Sequence, residues 1–198
     1  MSHYFTDNRQ LPQNRKEISF RFSGFMLKFV TDNGVFSKNR VDLGTEVFLK
    51  TLSTQMLGDR VLDLGCGYGV IGITVKKMSP HSQVLMADVN PRAVELAVLN
   101  AQKNGVEAEA RIPDCFANIA ETLSDILINP PIRAGKQVIF AMFEQALAHL
   151  EQGGHLMIVI RKQQGAESAW RKLRELFGNC EILEKEKGYW ILKSTKGD

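Results

Sequence analysis

The stretch VLDLGCGYGVIGI (residues 61–73) places three glycines just after an aspartate, at the point where an apolar run turns into a helical one. Gly65, Gly67 and Gly69 suit a turn where backbone and ligand approach closely, often at positive φ. Their spacing is G-x-G-x-G. A dinucleotide-binding turn would read G-x-G-x-x-G, and a phosphate loop would continue into Lys-Ser/Thr. Asp63, inside the preceding strand, suits a ligand carrying positive charge in place of phosphates. Asp88, followed by Val89, ends the next strand, where an acidic side chain can accept hydrogen bonds from both hydroxyls of a ribose. Asp114 lies in the loop after the third strand, placed to accept from an adenine amino group, and Cys115 beside it could line the adenine pocket. Each has a plain reading too: a tight turn without ligand, a helix-capping aspartate, a polar loop. Together they describe a site for an adenosine with a charged, phosphate-free substituent, S-adenosylmethionine. A second stretch, ILINPPIRAGK (126–136), stops a buried strand on an amide and two prolines. It neither continues a sheet nor makes an ordinary hairpin.

These residues need elements to position them. Residues 17–30 alternate apolar and polar around Gly24 and predict a hairpin, followed by a turn-rich loop over 31–44 and a helix over 45–57. Strands are predicted at 60–65, 83–89, 107–112, 125–129 and 155–161, and helices at 70–78, 91–104, 137–152 and 166–177. Asn90 caps the second of those helices with Pro91 in its first turn, and Gly153-Gly154 ends the third. Two closing strands, 180–186 and 189–194, are joined by Lys187-Gly188 as an antiparallel hairpin. Alternation of this kind predicts an α/β fold, a doubly wound and mostly parallel sheet with ligands beyond the carboxyl ends of its strands. The candidate residues all follow strands.

Composition narrows the class. The chain has 198 residues, is 44% hydrophobic and has no apolar run long enough to span a membrane. Its start lacks the apolar block of a signal peptide, so a cytoplasmic protein is expected. Cys66, Cys115 and Cys180 suggest no disulfide framework, and the four histidines show no ligand spacing, so no metal is expected. A net charge of +3 allows an acidic partner such as RNA without demanding one. Residues 1–40 read as an N-terminal extension with a hairpin packed on the core, and 41–198 as the main domain.

LDLGCGYG, ADVN and NPPIRAGK resemble the class I methyltransferase fold, in the branch that methylates exocyclic amines. FTDNGVFSKNRVDLGTEVFL resembles the entry segment of bacterial 16S rRNA guanine-N2 methyltransferases, and the likeness extends over residues 18–194. It implies a seven-stranded sheet with one antiparallel edge strand, S-adenosylmethionine as cofactor, and small-subunit rRNA or the 30S subunit as partner. The Asn-Pro-Pro stretch then makes chemical sense. An exocyclic amine is a poor nucleophile because its lone pair is delocalised into the ring. The Asn129 side-chain oxygen and the Pro130 carbonyl can accept both amine protons, with proline fixing φ and removing a competing donor. The same residues could simply terminate a strand. Asn129, Pro130, Pro131 and Ile132 are the catalytic candidates, with Asn129 touching the cofactor as well.

Many relatives carry an aromatic residue at the position of Ile132, stacked on the target base. Isoleucine can only pack there, which leaves base gripping to another residue such as Phe36, itself equally readable as core. Arg133 and Lys136 could hold a flanking phosphate or be solvated charges, as could Arg15, Lys16, Arg161 and Lys162. The resemblance also brings Asp42 and Thr45 toward the methionine end of the cofactor, although both are ordinary helix N-terminal residues. Two other functions remain open. One is a protein glutamine methyltransferase acting on a release factor, which uses the same Asn-Pro-Pro logic but usually has an aromatic after the prolines and a longer helical N-terminal region. The other is a non-catalytic RNA-binding or assembly protein, although degenerate copies usually lose the glycine turn or the acceptor motif. A small-molecule methyltransferase is disfavoured by the lack of an obvious lid.

Overall fold

Continuous apolar runs bounded by turn residues make strands buried on both faces, and they assemble the central sheet. The computed structural model describes residues 12–112 and 122–197. Strands β3 (Arg60–Leu64), β4 (Gln83–Ala87), β5 (Glu109–Arg111), β6 (Leu123–Ile128), β7 (Leu150–Arg161), β8 (Glu181–Glu186) and β9 (Tyr189–Thr195) form one sheet in the order β5-β4-β3-β6-β7-β9-β8. Pairing is parallel from β5 to β7. The antiparallel edge is the β8–β9 hairpin, with β9 inserted between β7 and β8. From β3 the chain winds outward through β4 and β5, then crosses to β6 on the other side of β3. That reversal opens a crevice at the carboxyl ends of β3 and β6, the usual ligand position in such sheets. Leu64 pairs with Ile128. The next residues, Gly65 and Asn129, therefore leave the sheet side by side.

Alternate residues of each strand enter different cores. Ile126 and Ile128 face helices α4 (Lys136–His149) and α5 (Ala166–Phe177), whereas Leu127 faces α1 (Leu43–Leu52), α2 (Val70–Met78) and α3 (Pro91–Lys103). The N-terminal hairpin, β1 (Lys16–Phe22) and β2 (Phe25–Thr31), turns at Ser23-Gly24 with φ of 46° and 84°. Positive φ at both positions marks the two-residue turn that matches strand twist. Leu27 and Phe29 anchor the hairpin in the first core. Its outer edge is held by two amides of α3. Asn100 donates to the Val30 carbonyl (2.9 Å) and accepts from its N–H (2.7 Å), and Asn104 does the same at Lys28 (2.8 and 3.0 Å).

The largest differences from the sequence reading are at α1, at α4 and at β7, which begins at Leu150 and not at His155. Helix α1 starts at Leu43 because Asp42 caps it, and ends where the Ser53 N–H bonds back to Leu49. Helix α4 stops at His149, before the glycines, because the buried Leu150 pairs with Leu123 of β6. Gly154 then lies inside β7. A Cβ there would sit 2.9–3.1 Å from three backbone carbonyl oxygens, so only glycine lets the strands approach.

Candidate active site

The glycine turn separates into two kinds of glycine. Gly65 and Gly67 have φ of 75° and 55°, and a Cβ on either would meet nothing within 4 Å. They supply a left-handed backbone facing open space. The turn is pinned from below, with the Gly65 and Cys66 N–H groups donating to the Ala87 carbonyl at 2.7 and 3.0 Å. Gly69 also has positive φ, at 91°, but a Cβ there would crowd Ile73 at 3.0 Å, Met86 at 3.2 Å and the Ala97 backbone at 3.3 Å. It does not line the cavity; its smallness lets α2 start against β4 and α3. Gly72 serves the same end, since a Cβ would meet Met86 at 2.6 Å.

Two carboxylates flank the turn. Asp88 accepts from the Gly67 N–H and the Asn90 N–H, both at 2.9 Å, and lines the cavity together with Val89. Burial raises its pKa, against the pull of those two N–H groups. Asp63 is fully buried behind the turn and outside the cavity lining. One of its oxygens accepts from the Gly72 N–H at 2.8 Å, and the other has no partner among the described residues. Burial pushes its pKa up to about 7, with the Gly72 N–H opposing and the Asp88 charge adding to the rise. The open glycine cradle beside the Asp88 carboxylate fits a nucleoside ligand. Asp114 and Cys115 lie outside the described residues.

Across the cavity, Asn129 is oriented by helix α1. Its amide nitrogen donates to the Thr45 hydroxyl at 3.1 Å and faces the Asp42 carboxylate at 3.5 Å. The same Asp42 oxygen accepts from the Thr45 N–H at 3.0 Å, capping the helix. Turning the amide over would set its oxygen against a carboxylate, so electrostatics fixes the carbonyl end as the free acceptor on the cavity wall. Pro130 and Pro131 contribute no N–H. The Pro131 carbonyl is used in the following turn, accepting from Ala134 at 2.8 Å, whereas no donor among the described residues takes the Pro130 carbonyl. Two consecutive cavity-lining residues therefore each keep an acceptor that no described group takes. Asp42 and Thr45, expected near the cofactor, line the cavity and brace Asn129.

The cavity holds about 870 Å³, within the range of small-molecule sites. Phe36 is 53% exposed at its mouth, so it is not core. Its segment is strapped down by Asn90 to the Gly34 carbonyl (3.0 Å), Arg92 to the Asn33 carbonyl (3.0 Å) and Tyr68 to the Ser37 carbonyl (3.2 Å). Ile132 is half-buried against the second core and lines the cavity, as does the exposed Arg133. Lys136 is exposed at the start of α4 and outside the lining. The sequence reading missed Tyr189 and Gln164, which also line the cavity. An aromatic just after the last hairpin turn was the available signal for Tyr189. No group of three His, Cys, Asp or Glu side chains placed to hold a metal occurs among the described residues, and no helix among them is long and apolar enough to cross a membrane.

Comparison with known proteins agrees with this geometry. The chain is 42% identical to the uncharacterized protein YbxB of Bacillus subtilis, over 98% of each. It is 38% identical to ribosomal RNA small subunit methyltransferase C of Haemophilus influenzae, over 76% of this chain and 46% of that one. Against the Pseudomonas putida protein of the same name it is 35% identical, over 86% and 52%. The chain thus spans about half the length of these rRNA methyltransferases. The Thermus thermophilus 16S rRNA N2 G1207 methyltransferase, solved with AdoMet and guanosine, superimposes with a TM-score of 0.84 at 26% identity, over 94% of this chain and 52% of that one. The methyltransferase small domain family model matches residues 26–193, and the chain belongs to that family.

Proposed function

We propose that this protein transfers a methyl group from S-adenosylmethionine to an exocyclic amine, the N2 amine of a guanine in small-subunit rRNA. The observation that carries the reading is the Asn129 amide, whose nitrogen is held by Thr45 and Asp42 and whose oxygen end is left free, next in the chain to a Pro130 carbonyl that no described donor takes. The names of the relatives favour rRNA as substrate, and the guanosine in the Thermus thermophilus structure favours a guanine.

S-adenosylmethionine supplies an electrophilic methyl group on a sulfonium sulfur. Gly65 and Gly67 would form the open cradle for it and Asp88 with Val89 would take the ribose end, with Asp63 buried behind the turn. The chain's own catalytic contribution is orientation. Asn129 and Pro130 accept hydrogen bonds from the two amine protons, which turns the nitrogen lone pair out of conjugation and aims it along the cavity; the methylated nitrogen then releases one proton to solvent. Positive charge developing on that nitrogen then meets two fixed dipoles that need no reorganisation. Orientation of this quality is worth about 7–11 kcal/mol in favourable reactions, enough to dispense with a strong general base. A base in folded RNA must be unstacked to enter, at a cost of a few kcal/mol. Exposed Arg133 and Lys136 are placed for flanking phosphates. Such a reaction belongs in the cytoplasm.

The test is methyl transfer from radiolabelled cofactor to total rRNA, 30S subunits, tRNA and release factor. The expected outcome is label in small-subunit RNA, recovered as N2-methylguanosine. Label in the release factor would replace this reading with glutamine methylation. Tight cofactor binding without transfer to any of them would mean that the target lies outside this panel, and failure to bind the cofactor would favour a non-catalytic RNA-binding role.

A further inference from the structure

Three aromatic side chains line the cavity, and their surroundings differ. Tyr68 is 4% exposed, packed edge-on against Phe29, with its hydroxyl committed to the Ser37 carbonyl, so it is part of the wall. Phe36 stands at the outer rim on the strapped entry segment. Tyr189 comes from the other end of the sheet, at the first position of β9, and is half-buried.

Close contacts place Tyr189 in the same corner as Asn129. A Cβ added to Gly44 would lie 2.6 Å from Tyr189 Cε1 and 3.1 Å from Asp42 Oδ2, so the ring edge and that carboxylate are near neighbours. The same carboxylate faces the Asn129 amide at 3.5 Å. The Tyr189 hydroxyl responds to this environment: burial raises its pKa, the Asp42 charge adds to the rise and Arg161 opposes it. The absence of a side chain at Gly44 is what lets the ring lie against the start of α1. Over the face of the ring lies the exposed Arg161 guanidinium, 6.0 Å from the centroid, at the outer limit for a cation–π contact. Arg161 has no carboxylate partner among the described residues. A flat group can therefore approach that face without breaking an ion pair.

We infer that Tyr189 is the stacking platform for the target purine, holding the ring while Asn129 and Pro130 hold its amine. The inference rests on the function proposed above and gives it a base-gripping residue where Ile132 offers only an aliphatic surface. The platform reaches the site from the β8–β9 hairpin, far along the chain from the acceptor motif. Arg161, displaced from the ring by the incoming base, stays at the rim beside the nucleotide's phosphate.

Two variants and two readouts test it, with small-subunit rRNA methylated by the wild type as kinetic substrate. Loss of one base-stacking partner predicts a rise of about 10- to 100-fold in KM for RNA in Tyr189→Leu. Its kcat and cofactor affinity stay within about threefold of wild type, the pattern of a lost binding contact in a folded enzyme. Tyr189→Phe keeps the ring and keeps the wild-type KM. The second readout is the fluorescence of 2-aminopurine riboside, which carries its amine on the same ring carbon as guanine and dims on stacking. With S-adenosylhomocysteine present, wild type and Tyr189→Phe quench it and Tyr189→Leu does not. An unchanged KM in Tyr189→Leu, or quenching that survives in that variant, overturns the platform. A wild type that labels no RNA yet quenches the purine through Tyr189 sinks the RNA assignment and leaves the platform standing.

Discussion

On the β3–β4 side of the cavity, the polar groups at and behind the wall are backbone or are tied to backbone. Gly67 holds Asp88, Ala87 holds Gly65 and Cys66, and Gly72 holds Asp63. On the β6–α1 side the working polar group is a side chain braced by other side chains, Asn129 by Thr45 and Asp42, with a half-exposed Phe36 at the rim. The first wall has the rigidity appropriate to one small ligand of constant shape. The second keeps a fixed acceptor pair inside a mouth that can admit part of something much larger. The two walls should therefore fail in different ways when altered.

The largest effect is expected at the acceptor. Asn129→Ala should lower kcat for methyl transfer by about 10²–10³-fold, the usual consequence of removing one preorganised hydrogen-bonding group from a transition state. Equilibrium dialysis should find cofactor affinity far less changed. A parallel collapse of cofactor binding would mean that the two walls are one functional unit. Next come the glycines. Gly72→Ala drives a methyl into Met86 and should cost about 1–3 kcal/mol of stability by overpacking. Gly67→Ala meets no protein atom and should cost only about 1–2 kcal/mol of left-handed strain, yet lower cofactor affinity measured by calorimetry. If Gly72→Ala hurt binding in the folded protein as much as Gly67→Ala does, the division between ligand glycines and packing glycines would be wrong.

A smaller, pH-dependent effect is expected at Asp63. Its carboxyl titrates from 3.8 in the open chain to about 7 when folded. Between those values the folded protein keeps a proton that the unfolded chain has lost, so stability falls as pH rises through the window and levels off above it. Asp63→Asn removes the dependence. The stability difference in denaturant titrations should grow with pH in the variant's favour, to the order of a few kcal/mol above pH 7, while cofactor affinity declines. A difference that is flat with pH would show that Asp63 is not held in this state. Smallest of all, Lys136→Gln should change RNA affinity by less than about threefold, with a slightly shallower salt dependence, since it lies outside the cavity and removes a single phosphate contact.

Much of this architecture was legible from local pattern. The apolar runs of β3 and β6, the glycines after one and the prolines after the other, and the Asn90 cap of α3 are short-range signals that the structure repeats. What was not legible depends on contacts between distant residues. The end of α4 is decided by Leu150 pairing with Leu123, which no helical periodicity reveals. The orientation of Asn129 depends on partners 84 and 87 positions away. Asp42 reads as an ordinary helix cap, and it is one, but the same oxygen also faces the Asn129 amide. Gly69 has the backbone of its two neighbours and a different duty, which only the space in front of each glycine reveals. Phe36 is equally apolar in a core or at a mouth. Tyr189 comes alongside Asp42 only because β9 inserts next to β7.

The amides of Asn100 and Asn104 have a consequence for solubility. Four residues of helix rise about 6 Å and two residues of strand about 6.6–6.8 Å, so amides one helical turn apart match alternate peptides of an extended chain. Each bonds one β2 residue through both its N–H and its carbonyl, as a neighbouring strand would. Helix α3 thus presents a counterfeit strand to the outer side of the hairpin. An open strand edge is a template on which other chains can aggregate, and here the peptide groups of Lys28 and Val30 that would recruit them are already occupied.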